Sequence, residues 1–239
     1  MRRPLRACYH GRPIIADSSR PFAALTPMAH DASSAGAQFS LGFAAPAPRE
    51  SLFFALLPDP ATAQRAFALG ERLRAEQGLR GRALPPERLH VTVHYLGEYA
   101  GVPPRLLQQA HAAGQALASA PFELCFDRVA SFGRGRGARP LVMLGDAEPT
   151  PLRELRHALQ WQLGQQGLAT RADATYVPHL TLAYDDRELP PQAVPELRWT
   201  AATLSLVRSV QGQGRHLHEA TWPLRADPAR AAHEHGAAP

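Results

Sequence analysis

At 239 residues and 45% hydrophobic, the chain is long enough for one large domain or two small ones around a substantial core. Its net charge of +5 and pI near 9.8 suit a polyanionic partner, but every basic residue is Arg and none is Lys, a coding-bias signature that weakens any reading of a single Arg. Cys8 and Cys125 are too few and too dispersed for a disulfide framework or a zinc site, and no apolar stretch approaches the roughly 18 residues of a membrane span, so a reducing cytoplasm is expected.

Residues 1–49 are rich in Ala, Pro, Ser and Arg without sustained periodicity and read as a disordered extension. Met1-Arg2-Arg3 leads into no apolar segment, so a secretory signal is not expected. A misassigned start or a plain tail fits better than an organelle transit peptide. Residues 52–56 form a short apolar run, a buried strand. Asp59-Pro60 then suits a helix start, since proline is tolerated in the first turn and an acid favours the N-terminus. A helical pattern follows over 63–77, with Phe67, Leu69 and Leu73 apolar. Residues 89–97 read as a strand, 103–120 as a helix and 122–132 as an alternating strand. The next stretch repeats the opening: an apolar run at 141–145, an acid-proline pair at Glu148-Pro149, and a helix over 152–166 with Leu155, Leu159 and Leu163 on one face. A strand at 176–184 comes next, then strands at 199–210 and 216–224 joined by the turn Gln211-Gly212-Gln213-Gly214. The domain is expected to span 50–225, with 226–239 a loose tail.

Two triplets stand at matching places in this repeat. His90-Val91-Thr92 and His179-Leu180-Thr181 are 89 residues apart, each in the strand that follows a helix. Side chains alternate faces along a strand, so each triplet puts an imidazole and a hydroxyl on one face and sends Val91 or Leu180 into a core. Brought together, two such strands form a site with two titratable imidazoles and two hydroxyls, an inventory suited to acid/base chemistry on a phosphate. Either triplet alone is weak, because one half-buried His is more often structural. The shared offset makes them equivalent positions of a duplicated strand–helix–strand unit, and a coarse architecture of two α+β lobes around a central groove follows.

Other templates fit less well. His90 and His94 would sit about 13 Å apart on a strand, too far to share a zinc ion, and no Glu follows His90 as a helical metalloprotease requires. His94 falls on the face of His90 and Thr92, as a substrate contact near the rim. His216 and His218 share a face of a late strand and read as structural or surface residues. Gly133-Arg134-Gly135-Arg136-Gly137 lacks the ending of a nucleotide P-loop, though Arg134 and Arg136 are candidates to meet a phosphate backbone. No Gly-x-Ser-x-Gly nucleophile elbow is present.

The stretches Glu87-Arg-Leu-His-Val-Thr-Val-His-Tyr-Leu-Gly-Glu98 and Tyr176-Val-Pro-His-Leu-Thr-Leu-Ala183 resemble the two signature motifs of the two-histidine (2H) phosphoesterase superfamily. The nearest branch is the RNA 2′,3′-cyclic phosphodiesterases, also called the 2′-5′ RNA ligase family. Leu52-Phe-Phe-Ala-Leu-Leu-Pro58 resembles that branch's opening strand, and Leu84-Pro-Pro-Glu87 the approach to its first motif. The resemblance covers about 50–225. It departs at Tyr184, where the branch often carries Arg, and at His94, where a small or apolar residue is commoner.

The resemblance implies an α+β, bilobal, pseudo-symmetric fold, with two antiparallel sheets flanked by helices around a central groove. It implies hydrolysis of a 2′,3′-cyclic phosphate to a 2′-phosphate without metal or cofactor. His90 would be the proton donor to the leaving 3′-oxygen and His179 the acceptor that activates water. Thr92 and Thr181 would bind the phosphate; at the departing position, the aromatic Tyr184 is a candidate to stack on a base in place of the family's Arg contact. The partners implied are RNA ends or small cyclic-phosphate nucleotides, met by a monomer away from membranes, with 2′-5′ RNA joining as a reverse reaction. Two alternatives stay open: a non-catalytic RNA- or nucleotide-binding module, and a 2H enzyme for another cyclic nucleotide or a 2′-5′ oligonucleotide.

Overall fold

The computed structural model describes residues 48–133, 137–145, 147–168 and 175–226. The first 47 residues, the last 13, and the loop arginines Arg134 and Arg136 lie outside them. Eight strands and three helices run in the order β1 (Arg49–Leu56), α1 (Pro60–Gln77), β2 (Val91–Ala100), α2 (Pro104–Gln115), β3 (Phe122–Ser131), β4 (Arg139–Leu144), α3 (Thr150–Gln165), β5 (His179–Asp185), β6 (Gln192–Ala201), β7 (Thr203–Val210) and β8 (His216–Pro223). A short 3-10 turn, Pro86–Arg88, leads into β2. The strands form two antiparallel four-stranded sheets, ordered β2-β1-β7-β8 and β5-β4-β3-β6. The fold is therefore α+β, two pseudo-symmetric lobes about a groove. Among the described residues no helix is long and apolar enough to cross a membrane.

The helices start as their first turns allow. Asp59 caps α1 by accepting from the Thr62 backbone N–H at 2.9 Å, and Gly78 ends it in the left-handed region at φ 63°. The second acid-proline pair works differently. Pro149 is the N-cap residue of α3, with no side-chain cap, and Glu148 pairs with Arg156 at 2.8 Å instead. The leucine stripe of α3 is fully used: Leu152, Leu155, Leu159 and Leu163 are all at most 1% exposed. On α1 it is Ala63, Ala66, Leu69 and Leu73 that are buried, with Phe67 only packed against the core's edge.

Two expectations need correction. The strand read over 199–210 is two strands in different sheets: β6 ends at Ala201 in the second sheet and β7 begins at Thr203 in the first. Apolar residues run through both, so hydrophobicity alone cannot show the switch. The 89-residue offset also fails for the opening strands. Thr92 pairs with Ala55 and Thr181 with Val142, so the equivalent strand positions are 87 apart. Two residues is one full strand repeat, and the same side chains still face the core.

The halves exchange their helices. α1 follows β1 but packs on β5 and β6 of the other sheet, while α3 reaches β2 and α2 lies on β7 and β8. The segments after α1 and α3 cross over as well. Leu84 donates its N–H to the Leu182 carbonyl at 2.6 Å, and Ala83 bridges Ala183 on the open edge of β5. Reciprocally, the Tyr176 hydroxyl donates to the Thr92 carbonyl at 2.8 Å. Edge strands β2 and β5 thus meet at the centre of the molecule, each carrying one triplet.

Candidate active site

His90 sits just before β2 and His179 opens β5. Val91 and Leu180 are fully buried, while His90, Thr92, His179 and Thr181 are each half-buried on the opposite face. The alternation predicted from sequence therefore holds within both triplets. Beyond each threonine the ladder bulges. Ala55 pairs with Thr92 and Phe54 with His94, leaving Val93 as the extra residue; Val142 pairs with Thr181 and Leu141 with Ala183, leaving Leu182.

The bulge overturns the placement of His94. Directly paired residues share a face, and Phe54 belongs to the helix-covered core. His94 therefore leaves the groove side for the α3 side. Burial and then the Arg156 guanidinium hold its pKa down to about 4. One residue further, Tyr95 and Tyr184 return to the groove side at equivalent positions, 51% and 49% exposed. Tyr184 is the residue read from sequence as a substrate contact where the family often carries Arg; Tyr95, its counterpart 89 residues earlier, was not singled out although the repeat offset points to it.

The imidazoles of both triplets are fixed the same way. Nδ1 of His90 lies 2.8 Å from the Arg88 carbonyl, and Nδ1 of His179 lies 2.8 Å from the Val177 carbonyl. A carbonyl can only accept, so Nδ1 carries the proton in each ring and Nε2 is the nitrogen available for chemistry. Their surroundings differ. His90 stacks on Phe53 with centroids 4.9 Å apart and meets His216 edge-on at 5.0 Å; His179 meets Phe132 at 5.2 Å. Phe53, Ala55 and Val207 form a small apolar floor beneath His90, separate from the main core.

Electrostatics follow from these neighbours. Burial, then the positive charges of His179, Arg88 and His218, hold His90 down to about 4 despite its bond to the Arg88 carbonyl. Burial lowers His179, opposed by its bond to the Val177 carbonyl. Burial and the nearby charges of His90, Arg88 and His218 put His216 at about 3, so its imidazole is neutral at physiological pH. His216 is thus brought beside His90, which its reading as a structural or surface residue missed. The period-2 spacing of His216 and His218 marked the face, but nothing local showed where β8 would lie. Among the described residues, no three His, Cys, Asp or Glu side chains converge as metal ligands.

A family model described as the 2′-5′ RNA ligase superfamily matches residues 58–213, a span holding both triplets. Among solved structures, the chain resembles E. coli LigT complexed with 3′-AMP, at 22% identity and TM-score 0.57, over 74% of this chain and 98% of that one. It also resembles the TT0787 protein of Thermus thermophilus, at 21% identity and TM-score 0.58, over 74% and 99%. At these identities the two likenesses speak for the fold. No curated protein sequence matches the chain.

Proposed function

The chain belongs to the 2′-5′ RNA ligase superfamily of two-histidine phosphoesterases, and from that premise we propose that it hydrolyses RNA 2′,3′-cyclic phosphate ends to 2′-phosphates. One observation carries the reading: two imidazoles, each with Nδ1 tied to a carbonyl at 2.8 Å, leave two Nε2 atoms for one substrate. In hydrolysis a water oxygen bonds to phosphorus as the bond from phosphorus to the 3′-oxygen breaks. His179 takes the water's proton on Nε2, and His90 gives its Nε2 proton to the departing 3′-oxygen. Thr92 and Thr181 donate to the non-bridging oxygens as their charge grows. Neither proton transfer needs a metal or cofactor.

For His90 to arrive protonated, its pKa must rise from about 4, and the anionic phosphodiester supplies that rise, because an opposite charge favours the imidazolium. The substrate thus prepares its own acid. Tyr95 and Tyr184 flank the triplets as stacking surfaces for bases. Joining of RNA ends through a 2′-5′ linkage is the reverse use of the same groups. The protein works as a monomer in the cytoplasm on RNA ends or small cyclic-phosphate nucleotides.

Incubating the purified protein with a dinucleotide ending in a 2′,3′-cyclic phosphate, in the presence of a chelator, tests the reading. Release of a 2′-phosphate is expected. Release of a 3′-phosphate would reverse which ribose oxygen leaves, and tight binding without turnover would leave a nucleotide-binding module. Loss of activity on chelation would bring back a metal mechanism.

A further inference from the structure

Arg88 closes the 3-10 turn, and the next residue, Leu89, is extended at φ −73° and ψ 126°. Leu89, Val91 and Val93 all turn into the core, so Arg88 stands on the side of His90 and Thr92. The first triplet is therefore the end of a longer row of guanidinium, imidazole and hydroxyl. The matching row in the other half is Val177, His179 and Thr181. Arg88 and Val177 do the same backbone work, each offering a carbonyl to the Nδ1 of its histidine. Only Arg88 adds a cation.

Among the described residues that cation has no counter-charge: no carboxylate pairs with Arg88, and no acceptor reaches its buried Nε. Arg208 shows the usual arrangement for a half-buried arginine here, held by Glu219 at 2.6 Å and Glu50 at 3.2 Å. Arg88 is surrounded instead by His90 and His216, whose protonation it opposes, and by Tyr184, whose phenol burial raises and Arg88 lowers. These three groups come from three different elements and locate the guanidinium at the junction of the lobes. A half-buried guanidinium whose buried Nε meets no acceptor among the described residues, beside the neutral imidazoles of His90 and His216, is arranged for an anion that arrives from outside.

We propose that Arg88 binds substrate, donating to an anionic phosphate oxygen of the nucleotide held between His90 and His179. The nature of that nucleotide rests on the phosphoesterase reading above; the capture of a phosphate oxygen does not. The oxygen belongs to the reacting phosphate or to the next phosphate along an RNA strand. Since Val177 has no charge to offer, the anion is held from the His90 side.

The test compares the full-length wild type with Arg88→Met, which keeps the apolar stem and the carbonyl that orients His90, and with Arg88→Lys, which restores the charge. Calorimetry with inorganic phosphate should show binding weakened about tenfold or more in Arg88→Met and partly recovered in Arg88→Lys. In kinetics, KM should rise about tenfold while kcat changes less, the pattern of lost ground-state binding. A rise for both a cyclic mononucleotide and a cyclic-ended dinucleotide assigns the reacting phosphate; a rise for the dinucleotide alone assigns the flanking one. The thermal midpoint of Arg88→Met should be unchanged or higher, because an uncompensated charge has been removed. Phosphate affinity and both KM values within twofold of wild type, with a lowered midpoint, would overturn the proposal and leave Arg88 a packing residue. If the wild type turns over neither substrate, the catalytic reading fails, and the phosphate calorimetry still decides Arg88.

Discussion

The two imidazoles share a backbone setting and differ in their company. Each ring is pinned through Nδ1 to the carbonyl two residues before it, at 2.8 Å in both cases. His90 then packs among Phe53, His216 and Arg88, whereas His179 has Phe132. In the proposed mechanism each ring relays a proton, so His90→Ala and His179→Ala should each abolish turnover of a cyclic-phosphate dinucleotide. In the same mechanism Thr92→Ala and Thr181→Ala each remove one proposed hydrogen-bond donor to the phosphate, and kcat should drop by roughly 10²–10³-fold, leaving measurable activity. Equal losses for all four variants would contradict this division of labour. The depressed His90 also predicts proton uptake on ligand binding. Inorganic phosphate should bind more tightly as pH falls from 7 toward 5, with a buffer-dependent heat that disappears in His90→Ala.

At the scale of elements, the site depends on edge strands held by segments from the opposite half. Asp185, 4% exposed at the end of β5, accepts from the backbone N–H of Arg80 and Gly81 at 2.6 Å each and of Arg187 at 2.8 Å. Burial raises its pKa, and these bonds outweigh that and leave the carboxyl below its ordinary range. Asp185→Ala orphans three donors and should destabilise the fold by about 3 kcal/mol in denaturant unfolding. Gly81 is needed for the close approach, since a Cβ there would overlap the Tyr184 carbonyl. Gly81→Ala should therefore displace β5, raising KM and lowering the thermal midpoint together. The bulges at Val93 and Leu182 matter as much: without them His94 would face the groove and Tyr95 and Tyr184 would not.

For the whole molecule, neither half of the chain is a folding unit. The first sheet needs β7 and β8 from the far end, and α1 covers the second sheet. Fragments divided near residue 118 should each lack a stable fold by circular dichroism, and recover helix and strand signal only on mixing. The histidines also set how the fold responds to acid. His90, His94 and His216 have folded-state pKa values of about 4, 4 and 3 against an ordinary 6.5. The unfolded chain therefore binds more protons in this window, and stability present above pH 6.5 is lost as pH falls toward 4. The thermal midpoint should decline across that range. His94→Gln, which removes a half-buried imidazole outside the groove, should show a shallower decline.

Local pattern determined much of this protein. Period-2 alternation put His90 with Thr92 and His179 with Thr181, the leucine stripe identified α3, and the shared offset revealed a duplication. These are properties of short segments, decided by backbone geometry and burial within about ten residues, so the sequence carries them openly. What the tertiary structure alone decided concerns partners distant in the chain. It moved His94 to the α3 side through a bulge opposite Phe54, brought His216 against His90 from the last strand, and split 199–210 between two sheets. It also left Arg88 beside His90 with no carboxylate partner among the described residues. A bulge and a sheet switch each depend on which strand lies alongside, and that is settled only when the whole chain packs.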